Sequence, residues 1–147
     1  MIKQATVEDD EGVGEPAGVG KQGPGVVINM ASVQGVQSQK GVPAYAASKG
    51  AVISLTRQMA MDYGEYGIRV LAINPGTIET PLVTGLLEMG GTDYKAAGRP
   101  YPLQSRCGHV DEIGHVAVFL ASSKASYMTG TDVSVDGGIT AAGNWAT

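Results

Sequence analysis

Apolar and polar positions alternate along this chain in three distinct periods. Val26-Val27-Ile28-Asn29-Met30 is a short apolar run led by Pro24-Gly25. It predicts a strand buried on both faces. From Tyr45 to about Tyr63 the composition turns to Ala, Leu, Met, Gln and Arg. Val52, Leu55 and Met59 recur at helical spacing, and Ile53, Ala60 and Tyr63 form a second stripe. A helix with two apolar faces is expected to be covered on both, by a sheet and by another subunit. Gly64 and Gly67 stop it. Ile68-Arg69-Val70-Leu71-Ala72-Ile73 predicts a second strand, ended by Asn74-Pro75-Gly76. Thr80-Pro81 opens a short helix through Glu88. Asp111 to Ala121 predicts a third helix, with Ile113, Val116, Ala117 and Leu120 inward. Asp132 to Asp136 alternates and reads as a last strand, closed by Gly137-Gly138. Strand, helix, strand, helix, strand in this order predicts a parallel α/β sheet.

Two stretches lack such periodicity. Residues 1–24 carry five acids between Glu8 and Glu15, and six glycines follow from Gly12 to Gly25. With few large apolar side chains, the stretch cannot offset its ordering entropy and is expected to be a flexible segment. Gly18-Val19-Gly20-Lys21-Gln22-Gly23 spells G-x-G-x-x-G. It lacks the preceding strand and following helix that a dinucleotide turn needs, and reads as linker. Residues 77–108, apart from the short helix, are irregular. Such a length in a compact domain suggests a functional lid. Tyr94, Tyr101 and Leu103 there could touch a substrate or anchor the loop.

Composition narrows the class. Twenty-two glycines in 147 residues is about twice the usual ~7% share. The net charge of −4 argues against a nucleic-acid partner. One cysteine, Cys107, excludes an internal disulfide and reads as a quiet loop thiol. No apolar run approaches a membrane span, and residues 1–4 lack the apolar core of a signal peptide, so a cytoplasmic location is expected. His109 and His115 have no Cys or carboxylate at ligand spacing and read as surface residues, with no metal site. Met59 and Met61 read as packing residues.

Chemistry concentrates at one rim. Tyr45 and Lys49 lie four apart, on one helix face. Ser32 stands just past the carboxyl end of the first strand, and Asn74-Pro75-Gly76 ends the next strand on the same edge, where α/β sheets bind ligands. A free phenol, with a pKa of ~10, is a poor base at neutral pH. One ammonium ~4 Å from a phenolate stabilises it by roughly 4 kcal/mol at an effective dielectric of 20. That matches the cost of lowering the pKa to near 7. Such a pair, with Ser32 donating to a substrate oxygen, suits proton exchange with an alcohol or carbonyl.

Ser32, Tyr45-Ala46-Ala47-Ser48-Lys49, Asn74-Pro75-Gly76-Thr77-Ile78-Glu79-Thr80 and Val135-Asp136-Gly137-Gly138 together resemble the short-chain dehydrogenase/reductase family. The likeness runs from about Gly25 to Gly138. It implies a Rossmann-type three-layer α/β/α sandwich with a parallel sheet, of which 25–147 would be the C-terminal half. The family's first β-α-β-α-β unit, with its Gly-rich turn and the residue choosing NAD from NADP, has no counterpart here. The resemblance implies Tyr45 as acid/base, Ser32 as the group polarising the substrate, and Lys49 as the cation that lowers the phenol pKa and binds ribose. Pro75, Gly76 and Ile78 would line the nicotinamide, and Thr80 would reach its carboxamide or the pyrophosphate. The implied reaction is NAD(P)-dependent interconversion of a secondary alcohol and a ketone. Binding of NAD or NADP by this chain alone is expected to be weak. The partners expected are a small alcohol or carbonyl compound and further copies of the chain, a homodimer or homotetramer paired through the Tyr45–Tyr63 helix. Trp145 and the tail from Ile139 would lie near another interface. The rival reading is a catalytically silent remnant that serves only as an oligomerisation module.

Overall fold

The computed structural model describes residues 25–90 and 106–141. The acidic segment 1–24 with its glycine motif, Tyr94, Tyr101 and Leu103, and Trp145 lie outside the described residues. The elements are β1 (Gly25–Met30), α1 (Pro43–Tyr63), β2 (Ile68–Pro75), α2 (Pro81–Met89), α3 (Val110–Ala121) and β3 (Asp132–Val135), with three short 3-10 turns between them. The sheet order is β1-β2-β3, all parallel. Gly25 lies opposite Ile68 and Ala72 opposite Asp132.

β2 is the centre of the molecule. Val70, Leu71, Ala72, Ile73 and Asn74 have no exposed surface. Alternation sends their side chains to opposite faces. Leu71 and Ile73 join Leu120 and Ala125 in one core, with Ile113, Val116 and Ala117 of α3 packed against it. Ala72 joins Ala31, Ile53 and Val52 in the other, under α1. Helix, sheet and helix are therefore three layers, as the family resemblance implies.

The strand β1 departs from expectation. It is half-buried rather than enclosed on both faces, and Met30 is exposed. Among the described strands it pairs only with β2, so one edge has no partner there. The helix α1 departs in the same way. Ile53, Thr56 and Ala60 are buried, but Leu55, Met61 and Tyr63 are exposed. Each stripe is divided: Val52, Ile53 and Ala60 turn toward the sheet, while Leu55 and Tyr63 stay exposed. Met61, expected to pack, is 80% exposed.

Polar side chains fasten the layers. Arg69 is buried at the start of β2 and donates to the carbonyls of Leu120, Ala121 and Ser122 at 2.7, 3.3 and 3.1 Å. It thereby satisfies the last carbonyls of α3 and meets the negative end of that helix. Burial lowers its pKa from the usual guanidinium value. Asp132 accepts from Arg57 of α1 at 3.0 Å and from Asn74 of β2 at 2.7 Å, joining three elements.

Candidate active site

The strand β1 delivers Ser32 to the sheet rim. Ala31 N–H still bonds Ile73 O at 2.8 Å, so the chain leaves the sheet only after it. Ser32 is buried, in extended backbone, and caps the turn Val33–Gly35 by accepting from Gln34 N–H at 3.1 Å. That cap restricts the hydroxyl: the oxygen accepts from the turn, and its own proton is left to donate elsewhere.

Gly35 allows this turn to lie directly on α1. A Cβ built there would stand 2.7 Å from the Lys49 carbonyl carbon and 2.9 Å from Gly50 N. No side chain fits that approach, so the serine turn and the helix bearing Tyr45 and Lys49 are in register because residue 35 is glycine.

Helix α1 begins at Pro43, two residues earlier than the pattern predicts, with proline in its first turn. Tyr45 is therefore on its first turn, 46% exposed. Lys49, one turn on, places Nζ 5.6 Å from the centre of the Tyr45 ring. The same Nζ donates to Met30 O at 2.9 Å. The ammonium thus spans from the phenol's helix to the strand end two residues before Ser32. Among the described residues no hydrogen bond joins Ser32 to Tyr45.

The strand β2 delivers the second half of the rim. Gly76 N–H bonds Val135 O at 3.0 Å, and residues 77–79 are clamped to the segment before α3. Gly108 N–H donates to Thr77 O at 2.9 Å, and Glu79 N–H to Gly108 O at 2.8 Å, forming a parallel bridge between Ile78 and Gly108. In that geometry the N–H and C=O of Ile78 point away from Gly108. They make no hydrogen bond among the described residues. Thr80 caps α2, its Oγ1 accepting from Val83 N–H at 3.3 Å.

A cleft of about 480 Å³ opens beside these elements, within the range of small-molecule sites. Val33 and Gln34 line it from the serine turn, Gly76 and Thr77 from the β2 end, and Val83 and Leu86 from α2. Ser32 and Gly76 thus each have a neighbour or themselves in its wall. Ser32 itself, Tyr45, Lys49, Pro75, Ile78 and Thr80 do not line this cleft, and Ile78 lines a separate smaller hollow with Gly108 and Asp136.

Several residues near the site carry roles the pattern alone does not announce. His109 is the N-cap of α3: its side chain accepts from Asp111 N–H while Glu112 accepts from His109 N–H. This is a capping box with histidine in the serine position. Glu112 also takes both terminal nitrogens of Arg106 at 2.7 Å. The Arg106 hydrogen bonds, then the one from His109, hold the Glu112 carboxyl down at about 2. The cue was present in the sequence, as Glu112 stands three residues past His109. Asp136 is partly desolvated, which opposes its ionisation. Hydrogen bonds from Thr140 and Gly138 outweigh that and hold its carboxyl below the usual range. Cys107 is buried, and desolvation with the nearby Glu79 charge pushes its thiol up, away from nucleophilic thiolate.

Known proteins resemble this chain in sequence and fold. Residues 15–140 match the family model described as enoyl-(acyl carrier protein) reductase. The oxidoreductase YxbG of Bacillus subtilis is 43% identical over 122 residues, covering 80% of this chain and 44% of that protein. Levodione reductase of Leifsonia aquatica is 40% identical over 126 residues, 83% of this chain and 47% of the enzyme. The chain belongs to the short-chain dehydrogenase/reductase family. A solved member, a putative 2-deoxy-d-gluconate 3-dehydrogenase from Agrobacterium tumefaciens with bound NADP, superposes with a TM-score of 0.72 at 39% identity. It is matched over 80% of this chain and 47% of its own. The chain thus spans about half the length of the short-chain dehydrogenases and reductases it matches. Its α/β fold is the corresponding part of theirs. Among the described residues, no helix is long and apolar enough to cross a membrane.

Proposed function

We propose that this chain carries the catalytic corner of an NAD(P)-dependent oxidoreductase that interconverts a secondary alcohol and a ketone. The observation that carries the reading is the position of Lys49. Its ammonium lies 5.6 Å from the Tyr45 ring while bonded to the β1 end that leads into Ser32. The two side chains therefore bring a phenol and an ammonium side by side, next to the end of β1. Tyr45 then takes the alcohol proton in one direction and returns it in the other. Ser32 donates to the substrate oxygen and fixes its orientation, its own acceptor side being occupied by Gln34 N–H.

The cofactor end of the site also fits. When bound, NAD(P) supplies the acceptor or donor of the hydride. The open N–H and C=O of Ile78 match the acceptor and donor of a carboxamide. Pro75 and Gly76 would bear on the ring, Lys49 and Tyr45 on the ribose. Thr80 would add its hydroxyl proton, since its oxygen already caps α2. The named relatives include a reductase and a protein with NADP bound, which supports the class but leaves open the choice between NAD and NADP.

A second reading rests on a different observation. Leu55 and Tyr63 lie within a quarter turn of each other and leave apolar surface of α1 exposed, which favours assembly with another copy as a homodimer or homotetramer. In its extreme form the chain would be an oligomerisation module without turnover. The deciding experiment measures NAD(P)-linked oxidation of secondary alcohols by the 147-residue chain and by Tyr45→Phe. Loss of at least ~100-fold in the variant supports the acid/base role. Turnover that is unchanged removes Tyr45 from the reaction. Absence of turnover in the parent chain, with a dimer or tetramer by native mass, favours the module.

A further inference from the structure

The segment after β3 is folded around a single side chain. Asp136 Oδ1 accepts from Gly138 N–H at 2.9 Å. Its Oδ2 accepts twice from Thr140, from the N–H at 3.0 Å and from the hydroxyl. Ile139 N–H returns to Asp136 O at 3.3 Å. Both carboxylate oxygens are thus spent within four residues, as an Asx turn carried on to a second donor residue. Gly137 and Gly138 make the reversal, at φ 62° and 85°, a region open to glycine.

This turn is the wall of a cavity. Ile139 and Thr140 line the 480 Å³ cleft together with Val83 and Leu86 of α2. Asp136 and Gly137 line instead the smaller hollow that includes Ile78. Asp136 therefore stands behind the wall, and the residues it holds stand in it. We propose that Asp136 is a positioning residue, which keeps Ile139 in the cleft wall so that the hydrocarbon of an alcohol or ketone packs against that side chain. The inference deepens the oxidoreductase reading, since it takes this cleft as the place of the substrate. A carboxamide at residue 136 keeps the acceptor for Gly138 but turns an NH2 toward the Thr140 N–H. Two donors then face each other, and residues 139 and 140 leave the wall.

The test is equilibrium binding, which needs no turnover. Cyclohexanol is titrated into the 147-residue chain, with NMR detection of the Ile, Leu and Val methyl groups. In the parent, methyls of Ile139, Val83 and Leu86 should shift together. Asp136→Asn should weaken binding about ten-fold, on the order of one partly buried apolar side chain. It should also abolish the Ile139 shift while those of Val83 and Leu86 remain. Ile139→Ala should weaken binding by a similar factor. The double variant should be no weaker than the weaker single one, because the carboxylate acts through that side chain. Thr140→Val removes only the hydroxyl donor and decides the matter should Asp136→Asn fail to fold; a loss of about three-fold is expected, non-additive with Ile139→Ala in the same way. No binding in the parent, an affinity and Ile139 shift unchanged in the folded variants, or losses that add in the double variant overturn the inference. NAD(P)-linked oxidation is followed separately. Turnover with an affinity indifferent to Asp136 keeps the reaction and removes the wall; an Asp136-dependent affinity without turnover does the reverse.

Discussion

Replacing Gly35 by alanine isolates the contact that sets the serine turn against α1. The new Cβ would lie 2.7 Å from the Lys49 carbonyl carbon, 2.9 Å from Gly50 N and 2.9 Å from Ile53 Cδ1. Ile53 can rotate its terminal methyl aside. The two backbone atoms belong to a 21-residue helix and cannot. Overpacking costs ~1–3 kcal/mol, and a clash with backbone belongs in the upper half of that range. Gly35 is not among the glycines with positive φ, so alanine also recovers ~0.4–1 kcal/mol through the unfolded chain. The net expectation is a loss of about 1–2.6 kcal/mol, read as a lower urea midpoint at unchanged slope. Gly64→Ala is the control: its backbone is helical, at φ −60° and ψ −37°, and its Cβ meets open space. That variant should be neutral or gain slightly. The reasoning fails if Gly35→Ala melts with the parent chain, or if the control falls as far.

Two further substitutions test the framework around the site. Arg69→Met should cost about 2–3 kcal/mol in thermal or urea unfolding, because three carbonyls at the end of α3 lose a charged donor. An unchanged midpoint would show that water serves those carbonyls equally well. The Glu112 carboxyl is depressed from an ordinary 4.5 to about 2, so its contribution is complete above the higher value and is lost as pH falls through the lower. Melting temperature should therefore drop between about pH 4.5 and 2, and Glu112→Gln should flatten that part of the curve; a parallel fall in both proteins would refute it.

How far the sequence could be read depended on the range of the interaction involved. The β2 core was legible because six consecutive apolar-rich positions end in Asn74-Pro75-Gly76, a local signal. The spacing from Ser32 to Tyr45 and Lys49 was legible because a strand end and one helical turn fix it. Leu55 and Ile53 could not be told apart in this way, since both sit on apolar stripes of α1 and only tertiary packing selects which of them meets the sheet. Gly35 looked like any loop glycine; its significance lies in backbone atoms fourteen and fifteen positions away. His109 was within reach, had the rule for helix starts been allowed a nitrogen acceptor.

The register of the sheet bears on how the protein is made. Gly25 pairs with Ile68, 43 residues later, and Ala72 with Asp132, 60 residues later. Neither ladder among the described residues can form from a tight turn, and each closes a long loop first. During translation at ~5–20 residues per second, Ala72 emerges roughly 3–12 s before its partner strand. Throughout that interval β2, the most deeply buried of the described strands, has an uncovered flank, so its pairing edge is exposed longest just where the finished protein hides it most completely.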